Sequence, residues 1–512
     1  MYSKVFGASM TGLEAHVIQI EADVSNGLPV FHMVGFLASA VKEAKERVRV
    51  SLQNSGYRFP AKRITVSLSP ADLRKDGSGF DLPIAISLLA AFGMIPRQTT
   101  EKTMIAGELG LDGKLRRVHG ALAMALCARK EGFRTFILPL ENACEAGMVQ
   151  GLEVLGAKDL DEVVGILKGE RERRPVTVDY KALTDEKEEK KGLDFRDVYG
   201  QETVKRALET AVSGGHNVLM IGAPGTGKTM LAKRIPGIMP PLSREEALEL
   251  TKIYSAAGLL NENMPVVLRR PFRAPHHTIT VAALAGGGRN PVPGELTLAH
   301  NGVLFLDELP EFARNTLEIL RQPMEEGKIH ISRLGSFFEY PSDMTVVGAM
   351  NPCKCGYYPD MRKCRCTQGQ IQSYLSRLSE PLLDRIDLCV EMERAGRFGK
   401  GKKGESSANI RERIIRTRDI QRKRYQNEEI DRNSQLKGRL LEKYCPLGRE
   451  EQIFFEELAG QNGVSLRGAH RMLRVARTIA DMEESEMVRE EHLLEASAYK
   501  MVNHKYWGNG SA

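Results

Sequence analysis

The stretch "GAPGTGKT", Gly222 to Thr229, has the residue types and spacing of a phosphate-binding loop. Gly222, Gly225 and Gly227, with Ala223, Pro224 and Thr226 between them, let backbone N–H groups wrap phosphate oxygens. Lys228 can neutralise the outer phosphates, and the Thr229 hydroxyl can ligate Mg²⁺. Downstream, "GVLFLDELPEF" is an apolar run closing on two adjacent carboxylates. Asp307 suits the Mg²⁺ side of such a site, and Glu308 suits polarisation of an attacking water. The two stretches together are more specific than either alone. The chemistry expected is ATP hydrolysis, with ATP and Mg²⁺ as cofactors.

Three further groups carry chemistry without settling it. "NPCKCGYYPDMRKCRCTQ", Asn351 to Gln368, holds Cys353, Cys355, Cys364 and Cys366 in two C-x-C pairs. Four thiolates on two short arms suit tetrahedral Zn²⁺, although the usual arm is C-x-x-C; reduced structural thiols or a redox pair are the alternatives. His276 and His277 invite a metal, but adjacent side chains diverge, so a loop role near a pore or subunit interface is expected instead. The helix expected from Asn409 carries Arg411, Arg413, Arg416, Arg418, Arg422, Lys423 and Arg424 against Glu412 and Asp419. It is either a phosphate-contacting surface or a solvated face that supplies interdomain ion pairs.

These residues need a scaffold. At 512 residues the chain is long enough for about three domains, and its 42% hydrophobic and 27% charged content is that of a globular protein. A net charge of +7 does not by itself imply nucleic acid. No run is long enough to span a membrane and the N-terminus lacks a secretory pattern, so a cytoplasmic location is expected, where eight cysteines argue against a disulfide framework. Residues 1–168 read as mixed α/β, with strands in "AHVIQIEADV" and "RITVSLSP" and helices in "AVKEAKERVRVSLQNSG" and "LRRVHGALAMALCARKEG". Residues 169–192 are charged and read as a linker. Over 193–393, helical patterns alternate with the short strands "NVLMIG", "GVLFLDE" and "MTVVGAM", which implies a parallel, helix-flanked sheet. From 394 a basic, glycine-rich boundary leads into a helical region ending at 512.

With "DFRDVYGQETVKRALETAVSGGHNVLMIGAPGTGKTMLAKRIPGIMP", "RAPHHTI", "PGELTLAHNGVLFLDELPEF", "VVGAMNPCKCGYY" and "PLLDRIDL", the chain resembles the AAA+ ATPases and, within them, the magnesium-chelatase-like YifB/ComM family. The resemblance runs over essentially the whole chain. It implies a P-loop AAA+ core with a C-terminal helical lid of the magnesium-chelatase type. It implies that Asn351 is the sensor on the γ-phosphate side, that Arg385 is an arginine finger supplied to a neighbouring subunit, and that Arg467 is the lid sensor. Val198 and Gln201, around "YGQE", would border the base. The segment "SLSPADLRKDGSGFDLPIAISLLAA" resembles a Lon-protease-type domain, whose fold is related to a ribosomal-protein architecture. The dyad of that protease is displaced or missing: Ser78-Gly79-Phe80-Asp81 replaces the expected P-S-A-G, and Leu122 stands where the lysine belongs, so no peptidase activity is expected. The function implied is a homohexameric motor on branched or single-stranded DNA, a helicase driving branch migration in recombination or transformation, with recombination proteins as partners. The rival readings are a motor subunit of a magnesium chelatase and a nucleotide-gated protein scaffold.

Overall fold

A computed structural model describes residues 1–180, 183, 193–288, 291–333, 336–393, 404–461 and 465–507. The chain forms two compact units. The first comprises Met1–Glu189, Ser243–Leu268 and Gly288–Pro293; the second comprises Lys190–Leu242, Arg269–Gly287 and Gly294–Ala512.

The first unit is built on a seven-stranded mixed sheet. The alternation in "AHVIQIEADV" becomes the strand Glu14–Ser25, with Ile18, Ile20, Ala22 and Val24 buried and Asp23 exposed. It pairs antiparallel with Tyr2–Thr11 on one side and Arg63–Ser69 on the other. Tyr2–Thr11, not anticipated from its mixed polar residues, is placed by pairing on both edges, the second with Thr103–Ile105. Helix Asp81–Ala91 is apolar all round and buried along its length, as such a helix must be. The helix expected from residue 115 begins only at Ala121, because Leu115–Arg116 pairs with Glu108–Leu109 and Gly120 adopts a left-handed turn.

Two stretches assigned elsewhere from sequence belong to this unit. Helix Arg244–Ala256, opened by a full capping box at Ser243 and Glu246, packs on helix Ala121–Lys130; the Gly120 N–H donates to the Ser255 carbonyl at 3.0 Å. The expected linker 169–192 is not free throughout. The Val176 N–H donates to the Val154 carbonyl, and Val176, Val178, Tyr180 and Leu183 pack on the apolar cluster around Phe136 and Val154. Its alternating apolar residues, hidden among charges, give it that purchase. Residues 181, 182 and 184–192 lie outside the described residues, as does most of the basic boundary after 393.

The second unit holds a five-stranded parallel sheet in the order Phe272–Arg273, Val303–Leu306, Thr345–Met350, Val218–Gly222, Leu388–Met392. The three central strands are buried from end to end, which is why they read as short continuous apolar runs. Helices Glu202–Gly214, Ser407–Arg424, Leu466–Met482 and Glu490–Trp507 complete the unit. The C-terminal helices share one apolar cluster with the sheet: Val475, Ala476 and Ile479 join Val218, Met220 and Val347. Polar ties reinforce this packing. Asp481, fully buried, accepts from Arg424 at 2.5 and 2.8 Å, from Arg477 at 3.1 Å and from Asn433 at 2.8 Å. Removing one partner of a buried pair of this kind costs about 3–5 kcal/mol, because the other charge is left buried and uncompensated. Among the described residues, no helix is long and apolar enough to cross a membrane.

Candidate functional site

Strand register brings the chemistry together. Ile221 lies opposite Met350 and Leu306 opposite Gly348, so Gly222, Asp307 and Asn351 leave the C-terminal edge of the sheet side by side. That edge is where open parallel sheets bind their ligands. Gly225 and Gly227 take φ of 78° and 91°, a conformation that would strain any side chain. Thr226 closes the turn, its hydroxyl donating to the Ala223 carbonyl at 2.9 Å.

Lys228 is buried, and its ammonium donates to the carbonyls of Gly222 at 2.7 Å and Ala223 at 3.1 Å and to Oδ1 of Asn351 at 3.1 Å. Burial lowers its pKa below the ordinary lysine value, while the nearby carboxylates of Asp307 and Glu308 oppose the shift. Thr229 donates its hydroxyl to Oδ2 of Asp307 at 2.8 Å, so the two expected Mg²⁺ ligands touch. Oδ1 of Asp307 accepts the N–H of Glu308 at 3.0 Å. A hydroxyl and a carboxylate at this distance, beside a glycine-lined loop and a buried ammonium, form an all-oxygen donor set that fits Mg²⁺ with phosphates.

Glu308 sits at φ 52°, a left-handed backbone for a non-glycine residue, and its side chain is 59% exposed. Strain of this kind costs on the order of 1 kcal/mol and persists where the surroundings hold it. Its carboxylate faces Nδ1 of His277 at 3.4 Å, and the His277 ring lies 4.1 Å from that of His276 and edge-on to Phe312. Sequence reasoning missed this partnership, because 30 positions separate the two residues and nothing local links them. The two histidine rings lie together rather than diverging as expected for adjacent residues, because the loop sets the His276 ring against His277, which faces Glu308 and Phe312; among the described residues they form no group of three or more metal-ligating side chains. We expect His277→Ala to lower the ATPase kcat about tenfold, equivalent to about 1.4 kcal/mol, with nucleotide affinity unchanged. Steady-state rates read beside nucleotide titrations check this, and an unchanged kcat would make the contact incidental.

The remaining expected residues are placed less simply. Arg385 points within its own chain: its guanidinium pairs with Glu325, donates to the carbonyls of Arg321 and Pro381, and the side chain is 12% exposed. Arg467 is exposed in the first turn of helix Leu466–Met482, whereas Arg471, one turn on, is buried and donates to Asp384 at 2.9 Å. The Val198 side chain is wholly buried in the core, so it offers no side-chain surface to a base; Gln201 donates its amide to the Glu393 carbonyl at 2.5 Å. Beside that carbonyl a cavity of about 280 Å³ opens against Gly222 and Ala223, lined also by Tyr358, Glu391, Met392 and Tyr506. In the first unit, the Ser78 hydroxyl donates to Glu108, and Leu122 is buried in an apolar cluster.

The basic helix Ser407–Arg424 spends most of its charge inward. Arg411 donates to Gly237, Arg418 to Val212, Arg413 pairs with Glu209 and Glu405, and Arg424 pairs with Asp481. The ion-pair reading accounts for these contacts, while Arg416 and Arg422, 61% and 57% exposed and paired with Glu412 and Asp419 of the same helix, remain on its solvent side. A feature not anticipated from sequence is the hairpin Lys328–Arg333 and Ser336–Pro341, which leaves Phe337 67% exposed. Its signal was the alternation in "KIHIS" and the aromatic-rich "SFFEY" that follows it.

Comparison with known proteins matches this arrangement. The family model "Magnesium chelatase, subunit ChlI" covers residues 194–398, "Subunit ChlI of Mg-chelatase" covers 20–142, and "Magnesium chelatase, subunit ChlI C-terminal" covers 404–500. The chain is 45% identical over 500 residues to the uncharacterized protein YifB of Salmonella typhimurium and 44% identical over 499 residues to YifB of Escherichia coli K12, with 96% of both chains covered in each case. It is 42% identical over 502 residues to competence protein ComM of Haemophilus influenzae, with 97% of both chains covered. With full-length likeness at this level and an AAA+-like core built around the same motifs, the chain belongs to the YifB/ComM family of magnesium-chelatase-like proteins.

Proposed function

We propose that this protein is an ATP-hydrolysing motor that works in the cytoplasm on DNA, as a homohexameric ring. The observation that carries the ATPase reading is the convergence of Lys228 on Asn351 and of Thr229 on Asp307, with Glu308 next in the chain. Thr229 and Asp307 hold Mg²⁺, which when bound offsets charge on the terminal phosphates. Lys228 leaves its loop carbonyls for phosphate oxygens, Asn351 keeps that ammonium oriented, and Glu308 takes the water's proton. In this reading Zn²⁺ on Cys353, Cys355, Cys364 and Cys366 completes the cofactors. The N-terminal unit serves as a Lon-like scaffold without peptidase chemistry, and the C-terminal helices serve as the lid.

The DNA reading draws support from the full-length likeness to a protein named for competence and from the hairpin that presents Phe337, since exposed aromatics stack on unpaired bases. Helicase action in branch migration, with recombination proteins as partners, is the activity that fits a ring motor of this kind. The family models, described for a magnesium chelatase subunit, favour a second reading as the motor of a metal chelatase acting on a tetrapyrrole. ATPase rates of the full chain alone, with forked DNA, with duplex DNA and with a tetrapyrrole separate the two. We expect stimulation by forked DNA, and an affinity for DNA that falls steeply with salt because phosphate contacts release counterions. Stimulation by tetrapyrrole alone would overturn the DNA reading, and nucleotide binding without turnover under every condition would return the chain to a nucleotide-gated scaffold.

A further inference from the structure

The four cysteines of residues 353–366 come together as a cluster. Sγ of Cys353 lies 3.4 Å from that of Cys355 and 3.8 Å from that of Cys364, and Cys355 lies 3.6 Å from Cys364. With Cys366, all four sulfurs fall within 4.8 Å of one another. A Zn–S bond of about 2.3 Å places tetrahedral sulfurs about 3.8 Å apart; those of Cys353, Cys355 and Cys364 lie 3.4–3.8 Å apart, and Cys366 lies within 4.8 Å of each. A disulfide requires about 2.05 Å, and all four cysteines are free.

The surroundings suit a tetrathiolate. A Zn²⁺ with four thiolates carries net negative charge, and the same loop supplies Lys354, Arg362, Lys363 and Arg365. The Tyr358 N–H points at Cys353 Sγ at 3.5 Å, and the backbones of Tyr357 and Arg365 donate to Cys355. Such donors stabilise sulfur ligands without competing for the metal. The other four cysteines, Cys127, Cys144, Cys389 and Cys445, lie outside the cluster.

The loop also touches the nucleotide machinery. Gly356 takes φ +79° where a Cβ would stand 2.4 Å from Cδ of Pro224, so the cysteine loop rests directly on the phosphate loop. Residues 356–360 line the 280 Å³ cavity whose opposite wall includes Gly222 and Ala223. Tyr358 packs edge-on against Tyr506, and the Tyr506 hydroxyl donates to Glu391 at 2.6 Å, which ties this wall to the C-terminal helix.

We propose that Cys353, Cys355, Cys364 and Cys366 hold one Zn²⁺, and that this metal braces the cavity wall against the phosphate loop so that nucleotide affinity depends on it. The second half rests on the reading of residues 222–229 as the nucleotide-binding loop. Backbone turns at Gly356, Asp360 and Cys364 and the Tyr358–Tyr506 contact hold the loop in part, and four metal bonds would cross-link its two arms.

Elemental analysis of the full chain, purified without chelator or added metal, should find about one zinc per chain. The double variant Cys353→Ser/Cys355→Ser should lose it and bind a fluorescent ATP analogue at least about tenfold more weakly, as expected for a lost metal-dependent support. Gly356→Ala, which removes no sulfur but sets a Cβ against Pro224, should keep the zinc and weaken the analogue by a similar factor, so the proposal stays testable if the double variant fails to fold. Folded parent protein without zinc overturns the site. Zinc present, with Gly356→Ala binding the analogue as the parent does, overturns the bracing. Lys228→Ala serves as the control for the underlying reading: if it binds the analogue normally, the nucleotide assignment fails while the zinc result stands.

Discussion

Glu308→Gln protein binds ATP with the affinity of the parent chain and hydrolyses it at least about a hundredfold more slowly, the range lost with a general base. The expectation follows from separate contacts. Thr229 and Lys228 engage Asp307 and Asn351, and neither depends on the Glu308 side chain. Glutamine keeps the size of that side chain and removes its capacity to take a proton. The strained backbone at residue 308 is held by the turn into Leu309–Glu311, so the substitution leaves the loop in place. Isothermal titration with ATP alongside a phosphate-release assay reads both quantities. Near-parent turnover would remove Glu308 from the water-activating role.

The second large effect is complementation. Lys228→Ala alone should have no measurable ATPase, because the loop loses the cation that meets the outer phosphates, and Arg385→Ala alone should be equally inactive if its guanidinium serves the adjacent site. Mixed at equal ratio they should recover roughly a quarter of parent activity, since one ordered neighbour pair in four then joins an intact Lys228 to an intact Arg385. The structure makes this a sharp test. Within one chain Arg385 is held by Glu325 and two backbone carbonyls, so a role in trans requires subunit contact to draw it away. Mixed rings that form, by native mass measurement, yet recover nothing would leave Arg385 as a clamp between residues 321–325 and 381–385 of its own subunit.

Residues close in sequence declared their chemistry early. The phosphate loop was legible because it is contiguous, because its glycines are required by backbone geometry, and because a buried parallel strand must be a short apolar run. The pairing of Asp307 and Glu308 was legible for the same reason. The cysteine cluster was legible as four thiols on two arms, although only the fold shows that their sulfurs converge within 4.8 Å of one another.

By itself, then, the sequence determined the alternation of helices and buried strands over residues 193–393, the ATP-site motifs and the family to which the chain belongs. Tertiary structure decided what depends on partners distant along the chain. It set His277 beside Glu308, and it paired Arg413 of helix Ser407–Arg424 with Glu209 and Glu405 and Arg424 with Asp481. It folded Arg385 onto Glu325, and it carried Ser243–Leu268 and the first part of the supposed linker into the N-terminal unit. The physical reason is common to all of these. A charged side chain reads as solvated until an opposite charge or an open carbonyl is brought within about 3 Å, and a half-apolar segment reads as a linker until a sheet or helix offers it a face. Spacing along the chain encodes local geometry, whereas burial and pairing are properties of the assembled fold.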